Sequence, residues 1–557
     1  MSAKTSSRKS GQTFMFGAVI LMISNILVKL IGAVFKIPLQ HLIMEDGMAY
    51  FQAAYNIYVS FYMISTAGIP VAISRMIATS NSKGNRREVD KIFRIAYWVF
   101  FVVGAGATVI MIAFARFFAK AAALEGSEYA MMAIAPTLFF ICLSSAYRGY
   151  FQGLQNMVPT AVSQVIESVG KLSIGLIAGW YFLSHGYPIH IVAAYVIAGV
   201  TIGVFAATVY IMIFKRMFSD ADKAADEPQL AVRSTKDLLY ELVIISIPIS
   251  LASSIMGLTN FVDTMLVARR LTETAVAGGM MYDTAREIAV KSYGAYSMPQ
   301  TLFNMPTTLI YPFAISALPA LSKYYGSGDK DKAKKLMEST FRVSSMVALP
   351  CALGMSAMAR PILSRVYREN PITDAVSNID VVAPCLAVLG LSVFFLGMIS
   401  VTNSVLQAYC FQSLTIVSTV CGIVVKAVST YILLGIPSVG LTGAAIGTAL
   451  CYLTIMVLNI FFIAKKVRYF PSIRRTFLKP FVAAAVCIIP CLAVNRVLSV
   501  TLMLNHRIVT LISIITAAAV YAAMLLVLKG ISEEDIKMLP KSEKIIKIMK
   551  KAKLLSE

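Results

Sequence analysis

The chain has 557 residues, of which 58% are hydrophobic and only 14% charged, and its mean hydropathy is +0.75. Soluble domains carry roughly 25% charged residues, so this balance excludes an ordinary globular protein, a disordered chain and a secreted disulfide scaffold. The formal charge of +22, from 50 Lys and Arg against 28 Asp and Glu, takes its meaning from how it divides among the loops.

Segments apolar and long enough to cross a bilayer run over 14–35, 50–77, 92–114, 129–151, 160–183, 190–214, 240–267, 293–318, 341–359, 382–408, 414–434, 440–464, 481–499 and 508–528. They predict an all-α polytopic membrane protein with about 14 transmembrane helices. The stretch with Lys4, Arg8 and Lys9 imitates the start of a signal peptide, but the apolar run behind it is too long and lacks a small-residue cleavage site. It is read as a retained first helix. An even number of crossings puts both termini on one side, where the loops hold 33 Lys and Arg against 12 on the other. By the positive-inside rule both termini are predicted to be cytoplasmic, and the basic inner loops account for the net charge without nucleic acid as a partner.

The two halves repeat. Phe93-Arg94 matches Phe341-Arg342 at a shift of 248, and Gln152, Thr160, Ser163 and Lys171 match Gln407, Thr415, Ser418 and Lys426 at a shift of 255. Ordered pairs in spans three to five and nine to eleven predict two pseudo-symmetric six-helix lobes plus two extra C-terminal helices. The N-lobe covers 1–215 and the C-lobe 239–466, with spans thirteen and fourteen in 480–529. Between the lobes, 216–238 reads as a cytoplasmic linker, where Asp220, Asp222, Lys223, Asp226, Glu227 and Pro228 interrupt the apolar pattern. The tail 530–557 sets Ile and Leu among Lys541, Lys544, Lys547 and Lys550, as in a basic amphipathic helix lying on the inner leaflet.

Chemistry-bearing residues are sparse. The eight cysteines lie in apolar stretches without metal-ligand spacing, and His41, His185, His190 and His506 fall singly in or beside loops, so no metal site is predicted. Charges within spans cost roughly 2.5–3.5 kcal/mol each on insertion scales unless they meet a partner or a watery cavity. Lys29, Glu167, Lys171, Asp263 and Lys426 are such charges. Glu167 and Lys171 stand four apart on one helix, with the acid N-terminal, and are placed to pair. Lys29 and Asp263 belong to the first span of each lobe and either line a central cavity or pair with one another across it. No catalytic constellation appears: the acids of the larger outer loops, Asp283, Glu287, Glu369, Asp374 and Asp380, are mixed with basic residues, and no GxxxxGK[ST] loop is present. Gly68-Ile69-Pro70, Pro248, Pro299, Pro306, Pro312 and Pro350 supply bends that allow lobes to rock.

The runs Gly68-Ile69-Pro70-Val71-Ala72-Ile73-Ser74-Arg75, Arg148-Gly149-Tyr150-Phe151-Gln152-Gly153-Leu154-Gln155-Asn156-Met157-Val158-Pro159-Thr160-Ala161 and Phe261-Val262-Asp263-Thr264 resemble the oligosaccharidyl-lipid flippases of the MOP exporter superfamily. Within it the chain is similar to the polysaccharide biosynthesis, stage V sporulation protein B and YtgP (MurJ-like) group. The resemblance implies a bacterial cell-membrane transporter with no enzymatic activity and no cofactor. It would move an undecaprenyl-diphosphate-linked saccharide such as lipid II from the inner to the outer leaflet by alternating access. It further implies substrate-binding roles for Lys29, Lys36 and Arg75, to which Arg148 is added as a candidate; as charges within or at the ends of spans, Asp263, Glu167 and Lys171 are the candidates for coupling or inter-lobe roles, with Na+ or H+ as the candidate coupling ion. Elementary physics points the same way, because a diphosphate-sugar headgroup crosses about 30 Å of hydrocarbon only inside a hydrated, cationic cavity. Two alternatives are a cation-coupled multidrug exporter of the related MATE branch, whose site should favour acids, and a membrane glycosyltransferase using outer-loop acids.

Overall fold

A computed structural model describes residues 2–66, 68–221, 231–500, 506–528 and 530. The middle of the linker (222–230) and the basic tail from 531 lie outside the described residues. The helices are α1 (Ser2–Thr66), α2 (Ile69–Ser82), α3 (Arg86–Ala113), α4 (Ala115–Ala121), α5 (Ser127–Gly153), α6 (Val158–Ser184), α7 (Ile189–Ala221), α8 (Thr235–Ala277), α9 (Tyr282–Ala295), α10 (Ser297–Gly326), α11 (Lys330–Ala357), α12 (Ala359–Val366), α13 (Asn378–Ala408), α14 (Gln412–Leu434), α15 (Thr442–Phe462), α16 (Lys479–Val500) and α17 (His506–Val527). Before α13, β1 (Pro371–Thr373) and β2 (Val376–Ser377) form a small antiparallel hairpin.

Helices occupy all the predicted apolar segments, as a chain with no water to satisfy its backbone requires. Among the described residues nine helices are long and apolar enough to cross a membrane, or ten if α11 and α12, bent by 79°, make one span. The difference from the predicted figure of fourteen arises partly at α1. Met44, at φ 53° and ψ −162°, breaks that helix. Sixteen residues of straight helix would separate Phe35 from Phe51 by about 24 Å, yet their ring centroids are 5.9 Å apart. α1 is therefore two arms folded back on each other, matching the first two predicted spans.

The repeat is visible in the backbone. α3 and α11 are both 28 residues long, start at an N-cap side chain (Asn85 accepting from the Glu88 amide, Asp329 from that of Lys332), and give way after one residue to a short helix. The turns after α5 and α13 each place a non-glycine residue in the left-handed region, Gln155 at φ 60° and Cys410 at φ 62°, positions 255 apart.

By packing, the chain forms two compact units: Met1–Thr272 with Met281–Ala295, and Glu273–Met280 with Tyr296–Glu557. Most of α8, which the repeat places at the start of the second lobe, thus packs with the first unit. The contacts are specific: the Gly68 amide donates to Ser250 Oγ at 3.1 Å and Ser60 Oγ donates to the Gly257 carbonyl at 3.1 Å. Just before α8, Arg233 binds the Glu88 carboxylate through Nε (3.1 Å), Nη2 (3.0 Å) and its own amide (3.2 Å), which ties the start of α8 to the first turn of α3.

Each unit has its own apolar core. Ile73, Phe100, Phe151 and Ile211 bring together α2, α3, α5 and α7 in the first; Leu321, Phe341, Val401 and Leu406 join α10, α11 and α13 in the second. In lipid the helices are drawn together by close packing rather than by expulsion of water, which favours small residues at crossings. α6 and α7 meet in this way: a Cβ on Gly170 would lie 2.6 Å from Gly203 Cα, and one on Gly199 would lie 2.7 Å from Gly175 Cα. A Cβ on Gly203 would also press on the Glu167 carbonyl (2.7 Å) and the Lys171 amide (3.0 Å), so this glycine sets the height of the two charged residues of α6. Gly203→Ala is expected to lower stability by ~1–3 kcal/mol through overpacking, read as a fall in melting temperature in detergent, whereas Gly106→Ala, where a Cβ meets nothing within 4 Å, leaves it unchanged.

Candidate functional site

The intramembrane charges of the first unit gather on α1, α5 and α6. On the first arm of α1, Lys29 and Lys36 are seven residues apart, two helical turns on one face. Lys29 is exposed at the protein surface and Lys36 is half-buried. The Lys36 ammonium donates to Gln52 Oε1 at 3.2 Å on the second arm, reached only because of the break at Met44. From there a buried polar chain runs across the unit: Gln52 Nε2 donates to Asn56 Oδ1 (2.7 Å), Asn56 Nδ2 donates to Thr264 Oγ1 of α8 (3.1 Å), and Thr264 Oγ1 lies 2.9 Å from the Tyr293 hydroxyl of α9. Asp263, next to Thr264, is 2% exposed.

Beside this chain the second arm carries an aromatic ladder. Phe51, Tyr55, Tyr58 and Tyr62 follow one another with ring centroids 5.9–6.0 Å apart. Tyr55 stands between two ammonium groups: Lys171 Nζ is 4.5 Å from its centroid and 5.1 Å from that of Phe35, and Lys36 Nζ is 6.0 Å from Tyr55. An aromatic face stabilises a cation without neutralising it. Among the described residues neither ammonium is held by a carboxylate.

The pairing of Glu167 with Lys171 expected from their spacing is corrected by the tertiary structure. Glu167 Oε2 accepts from Arg148 Nη2 at 3.0 Å, and Arg148 Nε donates to Ser163 Oγ at 3.0 Å. The guanidinium, buried and split between Ser163 and the carboxylate, claims Glu167 through one charge-assisted hydrogen bond. Of these side chains only Arg148 is paired with Glu167, while Lys171 lies on Tyr55 and Phe35 and Lys36 on Gln52 and Tyr55. Arg75 is exposed on α2 and takes no part in these contacts. Lys29 and Asp263 both belong to the first unit, so a contact between them would lie within that unit.

The second unit keeps one cation of this pattern and replaces another with a neutral amide. The repeat partner of Arg148 is Asn403, whose Oδ1 accepts from Asn459 Nδ2 at 2.8 Å; Asn459 also donates to Thr402 Oγ1 at 3.1 Å. Lys426, the partner of Lys171, is buried at 1% exposure. Sequence reading did not single out Gln52, Asn56, Tyr55, Thr264 or Tyr293. The signal was present for the first two: Gln52, Asn56 and Ser60 recur every four residues in an apolar span, one polar stripe on one helix face. Among the described residues no group of three His, Cys, Asp or Glu side chains is placed to hold a metal ion.

The sequence pattern described as polysaccharide biosynthesis protein matches residues 15–325, more than half of the chain, and the MatE pattern matches residues 285–432. The chain belongs to the polysaccharide biosynthesis protein family, and the resemblance carried by the Arg148–Ala161 run is borne out. It is 26% identical to the stage V sporulation protein B of Bacillus subtilis (strain 168) over 540 residues, covering 95% of this chain and 98% of that one. It is 26% identical to the lipid II flippase MurJ of the same organism over 470 residues, covering 81% and 83%. Its fold matches the solved inward closed conformation of lipid II flippase MurJ with a TM-score of 0.63 at 15% identity, over 92% of this chain and 98% of that one. These likenesses place it among multi-pass membrane proteins.

Because Arg148 is buried against Glu167, the two depend on each other. Glu167→Gln is expected to destabilise the protein by ~1–3 kcal/mol by leaving a buried guanidinium uncompensated, and Arg148→Met with Glu167→Met to recover most of that loss in a melting-temperature cycle. Lys171→Met, which breaks no ion pair, leaves the melting temperature within the scatter of repeats.

Proposed function

We propose that the chain is a flippase that carries a polyprenyl-diphosphate-linked saccharide of the lipid II class from the inner to the outer leaflet by alternating access, acting as a transporter and not as an enzyme. The observation that carries this reading is the pair Lys36 and Lys171 about Tyr55, two ammonium groups in apolar spans held by a neutral amide and by aromatic faces. Ammonium groups held this way have N–H donors left for a diphosphate, and the cost of burying them is offset when the anion arrives. The tyrosine ladder offers flat apolar faces next to those protons, suited to sugar rings or the first prenyl units. Lys29, two turns earlier on the same face of α1, extends the basic path, and Arg75, exposed on α2, is a further candidate cation for the headgroup. Similarity to the lipid II flippase MurJ and to the stage V sporulation protein B supports the same substrate class.

The cycle follows from a fixed cationic site that the two halves of the repeat expose to each leaflet in turn, with the prenyl tail remaining in lipid. Asp263, buried beside the polar chain that ends at Lys36, is the proposed coupling acid for Na+ or H+, its ionisation or ion occupancy felt along Thr264, Asn56 and Gln52. A MATE-type exporter of cationic drugs is the competing reading, and the excess of cations over acids at the site disfavours it.

A leaflet assay with labelled lipid II in proteoliposomes tests the proposal. Lys36→Ala and Lys29→Ala are expected to slow flipping by about tenfold to a hundredfold, the worth of a charge-assisted hydrogen bond, with folded protein retained. Lys29→Arg keeps part of the activity because the charge survives with altered geometry. In the same vesicles Asp263→Asn makes flipping insensitive to the imposed ion gradient. Wild-type rates in all variants would sink the assignment, and gradient-driven export of cationic dyes with no flipping would favour the MATE reading.

The orientation follows from the loops, 33 basic residues against 12, with both termini in the cytoplasm and fourteen crossings. Single cysteines at 185 and 365 in a cysteine-less background are expected to react with an impermeant maleimide added outside intact cells; protection of either position until lysis contradicts this topology.

A further inference from the structure

At the basic end of the first unit, away from the residues of the site above, a cavity of about 370 Å³ opens between α3 and α7 over α5. Its walls are Asp90, Phe93, Arg94, Tyr97, Tyr147 and Lys215. Lys215 Nζ sits 4.1 Å from the centroid of Phe93 and 4.8 Å from that of Tyr150. Those rings hold the ammonium in place without neutralising it, and among the described residues no carboxylate reaches it within ion-pair distance. Arg94 is exposed at the rim. The cavity lies about 12 Å along α3 from Arg86, the residue that starts the helix beside the basic loop, and at the last turn of the candidate span Ile189–Met217. The end of an apolar span is where a bilayer brings its headgroups to a helix. Beside the cavity stand exposed apolar side chains on both helices, Trp98 one turn beyond Arg94 on α3 and Phe205 of α7 against Phe140 of α5.

We propose that this crevice binds an anionic glycerophospholipid from the leaflet at the basic end of the helices. Its phosphate bonds to Lys215 and Arg94, its headgroup hydroxyls donate to Asp90, and one acyl chain lies against the exposed apolar side chains of α3 and α7. Two cations against one acid give the site the charge sign an anionic headgroup complements. An aromatic floor and exposed apolar neighbours favour a lipid over a water-soluble phosphate. The bound lipid would brace α3 against α7, the helix whose Gly203 sets the height of Glu167 and Lys171.

The test uses the full chain, delipidated in detergent and titrated with phosphatidylglycerol, with phosphatidylcholine of the same acyl chains and with glycerol phosphate, bound lipid being counted by native mass spectrometry. Wild-type protein is expected to retain phosphatidylglycerol about tenfold more tightly than Lys215→Met or Arg94→Gln, as for the loss of one charge-assisted contact. Lys334→Ala, a basic residue exposed elsewhere, should leave retention unchanged. Phosphatidylcholine should bind weakly and alike to all forms, and glycerol phosphate should not displace the lipid. Equal retention of phosphatidylglycerol by wild type and both variants overturns the proposal. So does wild-type protein that holds phosphatidylcholine as tightly, or glycerol phosphate that displaces the lipid at matching concentration. Should Lys215→Met fail to fold, Arg94→Gln, at an exposed rim position, decides alone.

Discussion

A charge held in hydrocarbon must be paired, sheltered or offered to something, and the first unit uses all three solutions within a few helical turns. Arg148 is paired with Glu167, Lys171 is sheltered by Tyr55 and Phe35, and Lys36 is held by a neutral amide. Only the first of these cancels charge. The other two keep a half-buried cation without cancelling its charge, which is the physical basis of the proposal that they serve an anionic substrate.

The scaffold that makes this arrangement stable is built from backbone contact. Gly203 lies against the backbone of Glu167 and Lys171, and Gly175 against Gly199, so α6 and α7 approach more closely than any side chain would permit. The folded-back α1 performs the same service within one element. The break at Met44 brings Lys36 to Gln52 and Phe35 to Phe51, and a tip this tight leaves room for Gly294 of α9 alone, since a Cβ there would collide with the Glu45 carbonyl.

The two halves share backbone and differ in charge. Left-handed turns at Gln155 and Cys410 and the equal lengths of α3 and α11 keep the topology common, while a cation, Arg148, and a neutral amide, Asn403, occupy equivalent places. Backbone turns respond to local sterics and persist under extensive side-chain change; a buried charge needs a partner on another helix and is lost with it. Divergence of the halves therefore appears in the polar networks first.

The sequence alone determined the helical, membrane-spanning class, the internal repeat and the identities of the buried charges. Apolar length and the cost of charge in lipid are properties of each segment by itself. Tertiary structure decided who meets whom. Spacing put Glu167 beside Lys171, but the carboxylate turns to Arg148, nineteen positions away on another helix, because a buried guanidinium needs it more than an ammonium already lying on a ring. The repeat assigned α8 to the second half, yet Asn56, Ser60 and Gly68 bind it to the first, since topology records chain order and packing records which surfaces fit. Tyr55, flanked by two cations, had no mark of its own in the sequence: its neighbours come from both arms of α1 and from α6, and no single-helix pattern encodes a contact shared among three segments.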